Sequence, residues 1–521
     1  MTQRKNGLTD ERSRPPSQMR RTGWIGAIAA IGAPALAGLL VALTMPRGPV
    51  DAAQALAVMV TGLVVGLVAG LGLRSPWAMV LAPVVYGVVF ELGRSGVSGP
   101  LVDAPTFQTT FGVLALILGR GVHALLAFLP MIAGAIYGRA LGQRLLPSPG
   151  SAGAPGAVGY VVAGLLTLAT VGLAVLILLP ARTPPLTGSD GEPLPGSIAT
   201  LEKVRLGGHD QWISIRGQST DNPVLLYLSG GPGQSDLPFS RVLFEDLTED
   251  LIVVGWDQRG TGKSYPALDP VSTLTLDRAI EDTAELSRYL IDRFDEERIY
   301  LLGESYGTFL GVLTLQRYPE LYHGYVASGQ MVDPLETTRR LHQDVLAYAA
   351  ETGDEELAAQ MQAFGEPPYQ NSMANAYVMG YYEALATPYT PPRAYLEKGR
   401  AAGIGPWGVL AQEYRFMEKL GVLRGLMDLF DVMWPQMLDV DFRQDVTRLE
   451  VPVYVLDAEH ELVARRDLAL VWFELLEAPQ KRIYAIENAG HSVAFEHFEE
   501  LHRILREDVL PETYPTPDGG Q

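Results

Sequence analysis

The sequence predicts a chain of two parts: an all-α transmembrane region, followed by an α/β domain that carries a helical insertion. Four observations predict this class. Long apolar segments crowd into the first 180 residues, and short apolar runs alternate with amphipathic stretches after residue 200. One of these runs leads directly into GESYG (303–307), which places a serine between two glycines. The mean hydropathy of +0.11 is also high for a soluble enzyme of this length.

Five apolar segments are each long enough to cross a hydrocarbon core, which takes about 20 helical residues. A cleaved signal peptide or a buried core helix is the alternative for any one of them, but a signal peptide is not followed by four more such segments. The fourth is interrupted by Arg120 and His123, so it could cross once or form a re-entrant pair. The segments are 24–44, 52–73, 76–92, 110–137 and 156–180.

Basic residues predict the orientation of this region. The tail 1–22 carries six of them and is expected to stay cytoplasmic, because cytoplasmic flanks are enriched in Lys and Arg. Arg74, Arg139 and Arg144 then fall on the cytoplasmic side if every segment of the region 23–180 crosses once. After five crossings the chain from residue 181 is expected to be extracytoplasmic.

The second part is predicted to begin after a Pro/Gly/Ser-rich linker, 181–200, and to extend over 201–510, with a C-terminal tail at 511–521. Its short apolar runs are continuous rather than alternating, which is typical of a parallel sheet buried on both faces. Over a hundred mostly helical residues, about 334–447, interrupt the pattern and are expected to cap the strand ends. The predicted strands are 223–229, 251–257, 298–303, 324–329, 451–457 and 481–487.

Composition excludes several functional classes. The chain has 59 acidic against 40 basic residues, a net charge of −19, which argues against a nucleic-acid partner. It has no cysteine, so disulfides, thiolate metal sites and a cysteine nucleophile are excluded.

Ser305 is the candidate nucleophile. The pattern Gly-x-Ser-x-Gly is weak evidence by itself, but here it joins a predicted buried strand to a predicted helix. Such a sharp turn lifts a serine hydroxyl above the sheet, and the glycines on both sides are needed because no Cβ fits there. The amino end of the helix also favours developing negative charge.

His491 is the candidate base among eight histidines. It lies in IENAGHSVAF, a glycine-containing loop just after the last predicted strand, from which a side chain can reach back over the strand ends. Other histidines fall in the membrane region, ahead of the sheet, in the cap or on a C-terminal helix, namely His123, His209, His342, His497 and His502.

Two backbone N–H groups are expected to form an oxyanion hole. Tyr306 follows the nucleophile directly and should supply one. The turn Gly230-Gly231-Pro232-Gly233 after the first predicted strand should supply the other, and we assign it to Gly231 because proline has no N–H.

Four motifs together resemble the proline iminopeptidase branch of the α/β-hydrolase superfamily, whose members share HGGPG, DQRGxGxS and GxSxG. They are LSGGPGQS (228–235), GWDQRGTGKS (255–264), GESYGT (303–308) and ENAGHS (487–492). The resemblance covers residues from about 200 to 510, with Ser229 standing where the family usually has His. It implies an α/β-hydrolase fold and a serine hydrolase whose type reaction removes N-terminal proline or similar residues.

The carboxylate that completes a triad must reach His491 from a strand end between Ser305 and His491. Aligned on the strand VPVYVL, the Gly-x-x-Asp of the family falls on residues 458–461 and puts Glu461 at the catalytic position. The resemblance therefore implies a Ser-His-Glu triad. From the residues alone, four carboxylates are candidates: Asp333, Asp457, Glu459 and Glu461.

Three functions follow as hypotheses. The first is a membrane-tethered, extracytoplasmic aminopeptidase acting on short peptides. The second is an extracytoplasmic esterase or lipid hydrolase, since the serine turn does not choose between amides and esters. The third is a catalytically inactive membrane protein that binds a ligand. Family members bind the substrate amine with cap carboxylates. Glu383 and Glu413 are candidates here, but a solvated surface glutamate is the alternative for each, and neither is assigned to a site.

We therefore expect a lipid bilayer and a small peptide or ester as partners, and no nucleic acid, cofactor or metal. The sequence leaves the oligomeric state open.

Overall fold

The computed structural model describes residues 16–145, 156–386, 389–401 and 411–515. The predicted cytoplasmic tail and the end of the C-terminal tail fall largely outside these ranges. The chain divides into two compact units. One, the helical unit, extends to Val97 and also includes Arg120–Ile177. The other comprises Ser98–Gly119 and the chain from Leu178 onward. We call it the hydrolase unit because the four motifs that resemble hydrolases lie in it.

The helical unit consists of apolar helices. Among the described residues, four stretches are long and apolar enough to cross a membrane: Trp24–Thr44, Ala52–Leu73, Thr110–Leu145 and Ala157–Leu178. Residues 110–119 of the third stretch belong to the other unit. The third of the five predicted segments is a helix of 16 residues. At about 1.5 Å per residue it is about 24 Å long, shorter than a hydrocarbon core of ~30 Å. The helices are α1 Pro16–Thr44, α2 Ala52–Leu73, α3 Ala78–Gly93, α5 Val122–Leu145 and α6 Ala157–Leu178.

Helices α2 and α5 pack closely because glycines recur every four residues on both. A Cβ added to Gly66 would lie 1.9 Å from the Met131 carbonyl oxygen, and one on Gly138 would lie 2.1 Å from the Leu67 oxygen. Small residues at this spacing let two helix backbones approach each other in an apolar environment. The glycines at the interface are Gly62, Gly66, Gly70, Gly134, Gly138 and Gly142.

The hydrolase unit is built on an eight-stranded sheet of order β1-β2-β4-β3-β5-β6-β7-β8. The first two strands are antiparallel, and the other six run parallel to one another. These six coincide with the six predicted strands, whereas β1 and β2 were not predicted. The strands are β1 Ile198–Leu206, β2 His209–Gly217, β3 Val224–Leu228, β4 Ile252–Asp257, β5 Ile299–Glu304, β6 Tyr322–Ser328, β7 Val453–Ala458 and β8 Lys481–Ile486.

The central strands β3 to β6 are buried throughout, and most of their residues are apolar because both faces are covered. In β5, Ile299 and Leu301 pack into one core, while Tyr300 and Leu302 pack into the core on the other face. Helices cover both faces, as a parallel sheet requires. The helices outside the cap are α4 Thr110–Leu116, α7 Phe239–Val242, α8 Leu276–Phe294, α9 Tyr306–Arg317, α15 Phe442–Asp445, α16 Val463–Leu475, α17 Val493–Glu496, α18 Phe498–Ile504 and α19 Leu510–Thr513.

The cap is inserted between β6 and β7, within the predicted range of about 334–447. Its helices are α10 Pro334–Thr352, α11 Glu355–Phe364, α12 Ser372–Ala386, α13 Arg393–Ala401 and α14 Phe416–Met437. The architecture confirms the predicted α/β fold with a helical cap, preceded by a helical region.

One segment lies in a different unit from the one its sequence position suggests. Residues 98–119, which we call the strap, fall between α3 and α5 in the chain and within the predicted transmembrane region. They belong to the hydrolase unit, where Leu101, Val102, Ala115 and Leu118 are buried in its main core. A π-helical turn, Ile117–Gly121, joins the strap to α5.

Candidate active site

Ser305 occupies a strained turn between β5 and α9. Its backbone has φ 50° and ψ −116°, a conformation that a residue with a side chain adopts only when its surroundings enforce it. The Ser305 N–H donates to the Ser328 carbonyl oxygen at 2.9 Å, which ties the turn to β6. A Cβ on Gly307 would lie 2.0 Å from the Leu228 oxygen. The glycine predicted to be necessary after the serine is therefore required by close contact with β3.

His491 and Glu461 lie on the loops that follow β8 and β7. The His491 Nδ1 is hydrogen-bonded to Glu461 Oε2, and the two side chains are only 15% and 7% exposed. The other Glu461 oxygen accepts from the Leu462 N–H at 2.7 Å and from Arg465 Nε at 2.8 Å. Both carboxylate oxygens are thus fixed, so the carboxylate holds the imidazole with Nε2 as its free edge.

The charges around this pair set its ionisation. Burial by itself would raise the pKa of Glu461, but Arg465 and His491 lower it to about 2. Burial and Arg465 oppose a proton on His491, yet the adjacent Glu461 carboxylate raises the pKa of His491 above its ordinary value of 6.5. Glu461 is therefore charged at neutral pH and stabilises a protonated imidazole.

The other carboxylates considered for this role have different partners. Asp333 accepts from the Glu336 N–H as the cap of α10 and pairs with Arg443 at 2.8 Å. Asp457 pairs with both nitrogens of the Arg466 fork at 2.7 Å. Glu459 accepts from the Asn488 N–H at 2.8 Å.

Ser305 and His491 line one cavity of about 240 Å³ beneath the cap. The Ser305 hydroxyl is directed at Met331 Sδ, 4.0 Å away, and we expect it to turn toward His491 when a substrate binds, because catalytic hydrogen bonds are often loose in the empty site. The lining is mostly apolar. Apolar side chains in it are Phe111, Met331, Met373, Met379, Leu426, Met427, Phe430 and Trp434.

Of the two residues predicted to form the oxyanion hole, Gly231 lines the same cavity as Ser305, and Tyr306 directly follows Ser305. Gly231 has φ +109°, a conformation that favours glycine. Tyr306 is the first residue of α9, and the first N–H groups of a helix have no acceptor within the helix.

The two cap glutamates differ in their surroundings. Glu383 lines the cavity, is 39% exposed and lies 3.5 Å from Arg465 Nη2. Glu413 is 1% exposed and is bound by the guanidinium of Arg241 at 2.5 and 3.2 Å. Of this pair, only Glu383 lines the cavity.

Sequence reasoning missed three residues that shape the site. Arg465, in the first turn of α16, contacts Glu461, which lies four residues earlier in the loop just ahead of that helix. Gly329, with φ +64°, lies so close to the imidazole that a Cβ there would be 2.7 Å from His491 Cε1. Glu304 is buried next to the nucleophile, with one oxygen bound to Ser492 at 3.0 Å, and burial raises its pKa to about 7.

Known proteins resemble the hydrolase unit. A family model described as the alpha/beta hydrolase fold matches residues 223–498. A probable aminopeptidase of Bacillus subtilis, YbaC, is 25% identical over 304 residues, covering 58% of this chain and 93% of its own length. A proline iminopeptidase of Lactobacillus helveticus is 22% identical over 308 residues, and the match covers 58% of this chain and 96% of that protein. The crystal structure of a proline iminopeptidase-related protein of Thermus thermophilus matches with 23% sequence identity and a TM-score of 0.41. The match covers 61% of this chain and 99% of that protein.

Proposed function

Since the chain belongs to the alpha/beta hydrolase fold family, we propose that it is a serine hydrolase with Ser305 as nucleophile, His491 as base and Glu461 as the orienting carboxylate. One observation carries the proposal. His491, held by Glu461, lines the same cavity as a serine on a strained strand-to-helix turn. Base, orienting group and nucleophile together make up the arrangement that activates a serine.

In the proposed reaction, the Ser305 Oγ attacks the carbonyl carbon of the substrate while its proton passes to His491 Nε2. The Glu461 carboxylate accepts the Nδ1–H and stabilises the imidazolium that forms. The carbonyl oxygen becomes an oxyanion, which the N–H groups of Gly231 and Tyr306 stabilise by hydrogen bonds.

Collapse of this intermediate transfers the proton from His491 to the leaving group, an amine or an alcohol. The acyl group remains on Ser305. A water molecule, deprotonated by the same histidine, then attacks the acyl-enzyme and restores the serine.

We propose an aminopeptidase of proline iminopeptidase type as the specific activity. The names of the two relatives at 25% and 22% identity support it. Glu383 also supports it, because a carboxylate at the cavity could bind the free amine of an N-terminal residue. The apolar lining supports a second candidate, an esterase acting on acyl substrates. Apolar walls accommodate an acyl chain as well as they accommodate an apolar amino-acid side chain.

Turnover by the full-length chain in detergent separates these candidates. We expect hydrolysis of a prolyl anilide to exceed that of short-chain nitrophenyl esters, and Ser305→Ala to abolish both. Hydrolysis of esters alone would favour the esterase. A folded wild-type chain that hydrolyses neither substrate would favour a ligand-binding protein.

We further propose that the hydrolase unit is extracytoplasmic and tethered by the helical unit. The strap and the chain from Leu178 belong to one folded unit, so they lie on the same side of any bilayer. The chain between them must cross an even number of times, which supports one crossing each by α5 and α6. The unit is outside if α1, α2 and α3 all cross.

Reporter fusions test this orientation. A reporter after residue 521 is expected to behave as extracytoplasmic, and one near residue 148 as cytoplasmic. The reverse pattern would mean that α3 does not cross and that the hydrolase faces inward.

A further inference from the structure

We propose that the strap is a permanent wall of the active-site cavity, and that its Phe111 limits the size of the apolar substrate group accepted beside Ser305. This inference rests on the proposed serine hydrolase function. It assigns substrate selection to a segment that lies, in the chain, between two apolar helices rather than in the α/β domain or its cap.

Buried charges of α14 hold the strap. The Asp428 carboxylate accepts the Val102 N–H at 2.8 Å and the Tyr265 hydroxyl at 2.8 Å. The Arg424 guanidinium donates twice to the Leu118 carbonyl oxygen, at 3.0 and 2.5 Å. Both charged side chains are 0% exposed. Burying a charge is costly unless hydrogen bonds compensate it, so α14 depends on the strap for part of that compensation.

The strap also contacts the start of α12. Asn371, just ahead of that helix, donates to Gln108 Oε1 at 3.0 Å and to Thr106 Oγ1 at 3.5 Å. Within the strap, a Cβ on Gly112 would lie 1.6 Å from the Thr106 oxygen, so the turn ahead of Phe111 is tightly closed. The strap is therefore hydrogen-bonded to the segment ahead of α12 as well as to α14.

Phe111 lines a cavity to which two cap helices also contribute. Helix α12 contributes Met373 and Met379 to the lining, and α14 contributes Met427 and Phe430. Phe111 lines the cavity with them and packs on the main core. A rigid aromatic ring among flexible methionines sets a boundary that a methionine cannot set, because methionine side chains adapt their shape.

The wall chemistry indicates the substrate group that it meets. Phe111 and the four cap side chains present no charge, so the substrate portion against them is apolar: an aliphatic or aromatic side chain, or an acyl chain. A cavity of about 240 Å³ holds a group of modest size. Replacing the ring by a smaller side chain should enlarge the cavity on this side and admit longer apolar groups.

The test uses the full-length chain in detergent and a series of alkyl fluorophosphonates of increasing chain length, which react with Ser305 without requiring turnover. The rate of labelling is measured for each probe. For Phe111→Ala, we expect the ratio of long-chain to short-chain rates to rise about tenfold, the size of effect that small changes in apolar volume produce. For Phe111→Trp, we expect the ratio to fall.

Phe107→Ala is the matched control, because Phe107 lies on the same strap, is 64% exposed and does not line the cavity. It should leave the ratio unchanged. If Phe111→Ala fails to fold, Phe111→Leu and Phe111→Trp supply the comparison. Labelling of all variants with the wild-type ratio would overturn the role of Phe111 while leaving the hydrolase proposal intact. A folded wild-type chain that no probe labels would overturn both.

Discussion

His491 and Glu461 meet through a hydrogen bond between Nδ1 and Oε2, although they lie 30 residues apart on the loops after neighbouring parallel strands. Arg465 binds the opposite carboxylate oxygen. Glu461 therefore fixes the imidazole through Nδ1 and is itself fixed by Arg465. The Nε2 atom of His491 remains for a substrate in the cavity.

Glu461→Gln is expected to lower kcat by about 10³ to 10⁴, the effect of removing a triad carboxylate while keeping its shape. Glutamine cannot supply the charge that stabilises the imidazolium. Asp457→Asn is the control, because Asp457 pairs with Arg466 instead of the histidine. If Glu461→Gln keeps near-wild-type turnover while Asp457→Asn or Asp333→Asn loses it, the assignment of Glu461 is wrong.

The pH profile should reflect the raised pKa of His491. The base must be neutral to accept the Ser305 proton, so kcat/KM is expected to rise with pH, with a midpoint above 6.5. Glu461→Gln removes the charge that raises this pKa, so its residual activity should show a lower midpoint. An unchanged midpoint in this variant would mean that another group titrates. Buried Glu304, whose pKa is raised to about 7, would then be the first candidate.

Gly329→Ala is expected to impair catalysis beyond its effect on stability. The new Cβ would come within 2.7 Å of His491 Cε1 and displace the ring, in addition to the cost of about 1–2 kcal/mol for a positive φ. Gly353→Ala has a similar φ, +70°, and open space around it, so it incurs the backbone cost alone. Equal kcat losses in the two variants, measured on folded protein, would contradict the proposed positioning role of Gly329.

Gly66→Ala should destabilise the helical unit, because its Cβ would overlap the Met131 carbonyl oxygen of α5 at 1.9 Å. Thermal unfolding in detergent measures the effect. Gly164→Ala, on α6 with nothing within 4 Å, should be neutral or slightly stabilising, since alanine favours helices. A Gly66→Ala chain as stable as wild type would mean that α2 and α5 do not pack this closely.

The sequence predicted the strands whose environment is simplest. Strands β3 to β7 are almost entirely buried, which yields near-continuous apolar runs that can be recognised locally. Strand β8, at the other edge of the sheet, is mostly half-buried or exposed but keeps the apolar run IYAI. Strand β1 lies at the sheet edge, and most of its residues are only partly buried. Its mixed sequence, as in LEKVRL, carried no such signal. Strand β2 is mostly buried, but polar residues interrupt its sequence HDQWISIRG, so it was missed as well.

Those residues of the candidate site that have a local sequence signal could be predicted. Ser305 and His491 follow from the turn and loop around them, but four carboxylates competed for the third position. The partners of the other three, Arg443, Arg466 and the Asn488 N–H, lie up to 110 residues away and are invisible to local reasoning.

The role of the strap was beyond local reasoning for the same reason. The strap contacts Arg424 and Asp428, which lie more than 300 residues further along the chain. No local pattern in residues 98–119 predicts these contacts.

The most direct test of the central claim is labelling of the full-length chain with a fluorophosphonate, followed by mass spectrometry of its peptides. The account predicts one modified residue, Ser305, and loss of labelling in Ser305→Ala while its thermal unfolding is unchanged. Modification of a different residue, or equal labelling of Ser305→Ala, would contradict it.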